Sequence, residues 1–263
     1  EGAHFTQANL SGAHLAGTIF DGAQMSGANL QAVITSGGSL RNANLSGANL
    51  PGVILNSVDL SGTDFTGADL RSALSFGCTY NAATQLAANL TGADFSNEDM
   101  ANVQLSGAQM VNARLFGTTL DGADLSAVET NLSSADLRGA SLVGTNFSQC
   151  TATGADFSDA DLTNANVSGA IMNLVRMDRS ITTQINWRDA QLSRATFIDL
   201  VLDNQDLTGT DLSGAVFQRT SLSRTRFDAS DLTETSFPFS SLSRTTFQQA
   251  VLDRTSFRTA SFS

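Results

Sequence analysis

The chain predicts an all-β solenoid wound from walls five residues wide that closes on itself every four walls. Three observations carry that expectation. An apolar residue returns every five positions, a small residue sits two positions before it, and similar outward residues recur at a spacing of 20. In the first thirty residues the apolar positions, or centres, are Phe5, Leu10, Leu15, Phe20, Met25 and Leu30. The small slot holds mostly Ala early on (Ala8, Ala28, Ala48, Ala68) and often Thr later (Thr210, Thr220, Thr235, Thr245).

Regular elements do not accommodate a period of five. On an α-helix successive centres would advance by about 500°, a net step of about 140°, and wander over the surface. Along one straight strand an odd period would throw alternate centres to opposite faces. A short extended segment that turns the small slot and the centre inward, followed by a tight two-residue corner, satisfies the pattern. Corners of roughly 90° bring the chain round after four units, or 20 residues. Two features support that number. Phe217, Phe227, Phe237, Phe247 and Phe257 alternate with Leu212, Leu222, Leu232, Leu242 and Leu252, as expected if Phe lines two opposite walls and Leu the other two. Ile34, Ile54 and Leu74 share one outward position at spacing 20.

Along the chain, centres fall on multiples of five through Leu125 and resume at Leu132, Leu137, Leu142 and Phe147. A two-residue register shift therefore lies within 126–132, inside one domain over 1–263. The residue two after the centre is Gly in 14 of the first 25 units and Asn in four, types that accept the positive φ of a type II corner. Beyond Gly214 no glycine remains, and Arg219, Arg224, Glu234, Phe239, Arg244 and Arg254 take that place, which predicts corners that avoid positive φ. Two stretches weaken the pattern. Residues 71–86 put Ser75, Tyr80 and Gln85 at consecutive centres, and residues 172–187 put Thr182 at a centre with Arg176, Asp178 and Arg179 outside.

Units such as Ala8-Asn9-Leu10-Ser11-Gly12, Ala48-Asn49-Leu50 and Ala123-Asp124-Leu125 resemble the pentapeptide-repeat family, and the resemblance spans essentially the whole chain. It implies a right-handed quadrilateral parallel β-helix. The 25 units before the shift and 27 after it then make 13 coils, a rod roughly 60 Å long at a strand spacing of about 4.8 Å.

Composition narrows the function. Fourteen Arg and no Lys face 25 acids, giving a net charge of −11 and a pI near 4.4, which argues against direct nucleic-acid binding. The negative charge is concentrated early: residues 1–131 hold 11 acids and 3 Arg, a net of −8. Mean hydropathy is −0.03, and no apolar run approaches the roughly 20 residues of a membrane span. The absence of an initiator Met leaves residue 1 as a processed terminus or an internal boundary, and the compartment stays open. No cofactor or metal site is expected. Cys78 and Cys150 fall in small slots on opposite walls and read as free thiols, while His4 and His14 read as outward polar residues. Glu98 occupies a small slot, where a carboxylate must be hydrogen-bonded or protonated, and Trp187 at a centre reads as core.

The interior, filled by one centre and one small side chain per unit, is expected to leave no concavity of the roughly 300 Å³ that a substrate needs, so the chain reads as non-enzymatic. The outward column His14, Ile34, Ile54, Leu74, Asp94 and Arg114, with Phe76 on the same wall, is the candidate partner-binding surface. The phenylalanine-rich end at Phe247, Phe257 and Phe262 needs a cover, supplied by a second copy, a protein partner or further chain. The leading expectation is a rigid scaffold that binds a protein along one wall, in line with plain alanine-rich units that look like cyanobacterial members of the family. The alternative is a DNA mimic that binds gyrase, as the quinolone-resistance branch implies and as stacked outward acids (Asp136 with Asp156, Asp211 with Asp231) would suit. Few cysteines in inward slots and no long loop set the chain apart from that branch. A fused module of a larger protein is the third reading.

Overall fold

A computed structural model describes residues 2–262. Its regular elements are five three-residue strands: β1 (Ile34–Ser36), β2 (Ile54–Asn56), β3 (Leu74–Phe76), β4 (Thr196–Ile198) and β5 (Val216–Gln218). They form two parallel sheets, β1-β2-β3 and β4-β5, in a register that pairs Ile34 with Ile54 and Ile54 with Leu74. Elsewhere one residue per wall makes the parallel pairing, again at a step of 20, as in Asn29 with Asn49 and Asp211 with Asp231. Twenty residues hold four units, so each coil has four walls. The steps lengthen to 22 from Gln109 with Asn131 through Asp124 with Asn146, then return to 20 at Asn131 with Thr151.

The physical basis of the five-residue unit lies in its hydrogen bonds. The centre carbonyl accepts the N–H three residues on, as Leu45 does from Ala48 at 3.0 Å, which closes the corner. The corner N–H crosses to the next coil, as Gly47 does to the Thr66 carbonyl at 2.9 Å. The outward Asn or Asp accepts the N–H two residues on, as Asp64 does from Thr66 at 2.8 Å. In A(N/D)LSG every residue therefore has a structural task, and both inward positions pack the core. Asparagines on adjacent coils also join through their amides, Asn49 to Asn29 at 3.0 Å.

In several units where Thr replaces Ala in the small slot, its hydroxyl reaches back to the previous coil. Thr225 donates to the Leu202 carbonyl at 2.7 Å and Thr235 to Leu212 at 2.8 Å. The buried hydroxyl is thereby satisfied without widening the coil. The aromatic columns follow the Phe/Leu alternation. Phe217 stacks on Phe237 at 5.0 Å and Phe237 on Phe257 at 5.1 Å within one wall. Phe227 meets Phe237 edge-on at 5.9 Å across the interior.

Two expectations about corners and centres fail. The late corners keep positive φ: Arg219 (53°), Arg224 (58°), Glu234 (60°), Phe239 (60°), Arg244 (55°) and Arg254 (55°) all sit in the left-handed region. The corner N–H must still point at the next coil, as from Arg219 to the Pro238 carbonyl at 3.0 Å, so the ladder imposes the conformation whatever the side chain. Ion pairs between stacked corners add to it, Arg219 with Asp199 at 2.6 Å and Arg179 with Asp159 at 2.7 Å. The second failure is Gln85, which is not a centre. One extra residue puts Thr84 in the small slot, Gln85 outward against Asp64 and Leu86 inward, and the four-residue step to Leu90 restores the register. Thr84 makes this possible because its hydroxyl accepts the Gly62 N–H at 3.2 Å and donates to the Leu60 carbonyl at 3.1 Å.

Candidate functional site

The outward column assembles as the spacing predicts. Parallel pairings run from His14 to Ile34, Ile54, Leu74, Asp94 and Arg114 in turn. Ile34 is 41% exposed, Phe76 47%, and Ile54 and Leu74 are half-buried. This wall carries β1, β2 and β3, in which all three residues of β1 pair with β2 and all three of β2 with β3, while only Leu74 pairs onward, with Asp94. Asp94 and Arg114 approach to 3.5 Å at its far end. Phe116, 48% exposed and with the Arg138 guanidinium 5.8 Å over its ring, lies two coils beyond Phe76 in the same column, past Ser96, and was not singled out from the sequence.

The phenylalanine-rich end is an edge-to-face chain, Phe247 to Phe257 at 5.6 Å and Phe257 to Phe262 at 5.5 Å. Phe262 is exposed while Phe247 and Phe257 are partly covered by the core.

The weak stretch around Ser75 is a buried polar cluster. Glu98, 3% exposed, accepts the N–H groups of Gly77 (2.5 Å) and Cys78 (2.9 Å), and the hydroxyls of Ser75 and Tyr80 share a hydrogen bond at 2.7 Å. Burial raises the Glu98 carboxyl above its ordinary value, against the two N–H donors, and pushes the Tyr80 phenol well up. The carboxylate thus caps the corner after β3. Cys78 and Cys150 are free and buried, and burial raises both thiols, Cys150 to about 12. Among the described residues no group of His, Cys, Asp and Glu is arranged to hold a metal ion, and His4 and His14 are exposed. No helix among the described residues is long and apolar enough to cross a membrane.

The second weak stretch is an open seam. Ladder bonds link the coil below it (Leu162 to Ile181, 2.8 Å; Val167 to Asn186, 3.1 Å) and the coil above (Leu202 to Ser221 and Leu207 to Arg226, both 2.8 Å). Among the described residues, no backbone hydrogen bond joins 181–189 to 201–208. The two remaining walls of the same junction are closed, by Leu192 to Asp211 at 2.7 Å and by the β4-β5 pair. The cause is bulk in the small slot: the column that holds Ala165 below and Thr225 above holds Ile185 and Gln205 here, beside the Trp187 indole at a centre. Side chains span part of the gap, with the Thr182 hydroxyl donating to the Val201 carbonyl at 3.1 Å and Trp187 Nε1 to Gln205 Oε1 at 3.3 Å.

The cavity among the core side chains between Leu15 and Val58 is only about 20 Å³, and the larger concavities lie on the outer surface, at the seam. Three adjoining crevices open along it: about 330 Å³ beside Ile181 and Val201, about 520 Å³ between Gln184 and Asn204, and about 500 Å³ between Trp187 and Thr208. The Thr208 hydroxyl beside the last is buried without a partner among the described residues. Asp178, expected outside, is buried at 3% exposure, held by Arg176 at 3.1 Å and the Thr196 hydroxyl at 3.1 Å.

The repeat pattern matches a known family. A family model described as pentapeptide repeats matches in eight copies over residues 1–34, 39–74, 88–126, 130–169 and 197–234. The long gaps in the match cover the Ser75 cluster and the lower edge of the seam. Among solved structures, HetL, a pentapeptide repeat protein involved in heterocyst differentiation regulation from the cyanobacterium Nostoc sp. strain PCC 7120, is 25% identical. That match covers 96% of this chain and 88% of HetL, with a TM-score of 0.27. The plasmid-mediated fluoroquinolone resistance protein QnrB1 is 20% identical over 77% of this chain and 89% of its own, with a TM-score of 0.35. Rfr23, a pentapeptide repeat protein from the cyanobacterium Cyanothece 51142, is 22% identical over 51% of this chain and 91% of its own, with a TM-score of 0.35. A search of curated proteins finds no match. With most of its residues covered by the family model and each repeat position accounted for by the hydrogen bonds above, the chain belongs to the pentapeptide-repeat family.

Proposed function

We propose that this protein is a non-catalytic scaffold that binds another protein on the wall carrying Ile34, Ile54, Leu74 and Phe76. The observation that carries the reading is the contiguous outward apolar strip on the three-stranded sheet. Isolated exposed apolar residues need no explanation, but a stacked row on a flat face that presents no clashing loop suits a protein surface. Affinity capture from native lysate, with wild type beside Ile54→Asp, tests it. Loss of a specific band in the variant is expected, and an unchanged profile overturns the reading.

The alternative, a DNA mimic for gyrase, draws on the acid columns. Those acids are largely engaged: Asp136 is held by Arg138 at 2.7 Å, Asp156 accepts the Ser158 N–H at 3.0 Å, and Asp231 accepts the Thr233 N–H at 2.9 Å. Such carboxylates support the wall rather than offer a free phosphate-like ladder. A gyrase supercoiling assay separates the readings, because a mimic inhibits supercoiling or protects it from quinolone at micromolar concentration and a wall-binding scaffold does neither.

A further inference from the structure

We propose that the partner on this wall is a second copy of the same chain, docked face to face and antiparallel across a two-fold axis that passes beside Ile54. The proposal rests on the reading of the wall as a protein-binding surface. In such an arrangement each outward column faces itself in reverse order. The column His14, Ile34, Ile54, Leu74, Asp94 then sets Ile54 against itself, Ile34 against Leu74 of the second copy, and His14 against Asp94 of the second copy. The apolar residues are central, and the ends differ in chemistry so that a base meets an acid.

The neighbouring columns obey the same symmetry. Ser36, Asn56 and Phe76 stack in register, so Asn56 meets itself and each protruding Phe76 lies over the small Ser36 of the other copy. Along the flanking corner, Gly52 meets itself, Gly12 faces Gly92 and Ala32 faces Ser72, residues small enough to let two walls close to about 10 Å. Arg71 falls opposite Gln31. Within these columns no like charges meet. A slip of one coil destroys the match, since it puts Ile34 against Asp94 and His14 against Arg114. A one-coil slip the other way puts Leu74 against His14. A partner of unrelated sequence has no need for a palindrome in the surface it binds, whereas a two-fold contact requires one.

Five coils of a five-residue wall offer about 400 Å² per copy, half of the ~800 Å² typical of a stable interface, so the dimer should dissociate on dilution. Cysteine cross-linking of the purified full chain tests the register. Cys78 and Cys150 are buried and set the background, and Val128→Cys, exposed in the 126–130 segment, reports random collision. Ile54→Cys is expected to oxidise to a disulfide dimer at least ten-fold faster than Val128→Cys, because a residue on the axis meets itself. His14→Cys and Asp94→Cys should each match Val128→Cys alone yet form a mixed dimer together. Should Asp94→Cys fail to fold, mixing Ile34→Cys with Leu74→Cys tests the same register. Cross-linking of Ile54→Cys at the collisional rate overturns the proposal, as does efficient self-linking of His14→Cys, which indicates parallel rods. If cross-linking fails while Ile54→Asp still loses a band from lysate, the wall binds a different protein and only the second-copy proposal falls.

Discussion

The indole N–H of Trp187 donates to the amide oxygen of Gln205 at 3.3 Å, joining two adjacent coils where the backbone does not. Both residues are larger than their slots permit elsewhere. Their contact offsets part of a loss they themselves create, since ladder bonds absent from 181–189 are present one coil below and one above.

Amide hydrogen exchange should therefore reveal the seam. The amides that face the open junction, Thr182, Gln184, Trp187, Asp189, Val201 and Asp206, are expected to exchange faster than their counterparts one coil below, Leu162, Asn164, Val167, Gly169, Ile181 and Asn186, while Leu192 and β4 stay protected. Gln205→Thr, which restores the residue type found at Thr225, should slow exchange at Val201 and Asp206. Each ladder bond it restores should add roughly 1 kcal/mol of stability, read as a higher thermal midpoint. Unchanged exchange would mean that Ile185 and Trp187 alone hold the coils apart.

Glu98 supports the corner after β3, and removing it leaves the N–H groups of Gly77 and Cys78 without their acceptor. Glu98→Ala should cost about 2–4 kcal/mol in denaturant unfolding, and Glu98→Gln, which keeps one acceptor, clearly less.

The pH dependence has two opposing parts. Burial raises the Glu98 carboxyl, so its contribution is full below the unfolded value and fades as pH rises through the folded one. Arg71 and Arg138 hold Asp69 and Asp136 below the ordinary range, so theirs is present above that range and lost as pH falls through the lowered values. Thermal midpoints measured across pH should fall below about pH 4, and the wild-type advantage over Glu98→Gln should shrink as pH rises through the raised Glu98 value.

Phe239 sits at φ 60°, 65% exposed, with no ion pair to offset the conformation. Phe239→Asn, a residue that tolerates the left-handed region, should raise stability by about 0.5–1 kcal/mol in chemical denaturation. A loss would show that the ring contributes contacts beyond the corner.

Both thiols are buried and raised, so thiol reagent at pH 8 should leave native protein unlabelled and modify two cysteines per chain after denaturation, read by intact mass. Labelling of Cys78 in the native state would show that the Ser75 cluster opens.

The period of five and the spacing of 20 were legible because nearly every centre outside Leu86 and the shift within 126–132 obeys them, and they placed Ile34, Ile54, Leu74 and the phenylalanine columns correctly. Corner conformation was not legible from residue type. Intrinsic preference near Arg219 or Phe239 is worth about 1–2 kcal/mol, and the stacked ladder overrides it. Leu86 was missed because a one-residue insertion and a deletion cancel within ten residues, though the run Thr84-Gln85-Leu86 fits slot, outward position and centre. The seam showed only as a weak stretch. Its signal was Ile185 and Gln205 in small slots, whose bulk acts on the neighbouring coil rather than on their own unit.

In a stack where each coil touches only the next, cooperativity passes through one interface at a time. The junction between the coil of Ile181 and the coil of Val201 has half its rungs missing, so melting is expected to divide the molecule there. Calorimetry should resolve two transitions, and a chain pulled from both ends should part there first, before either half unravels.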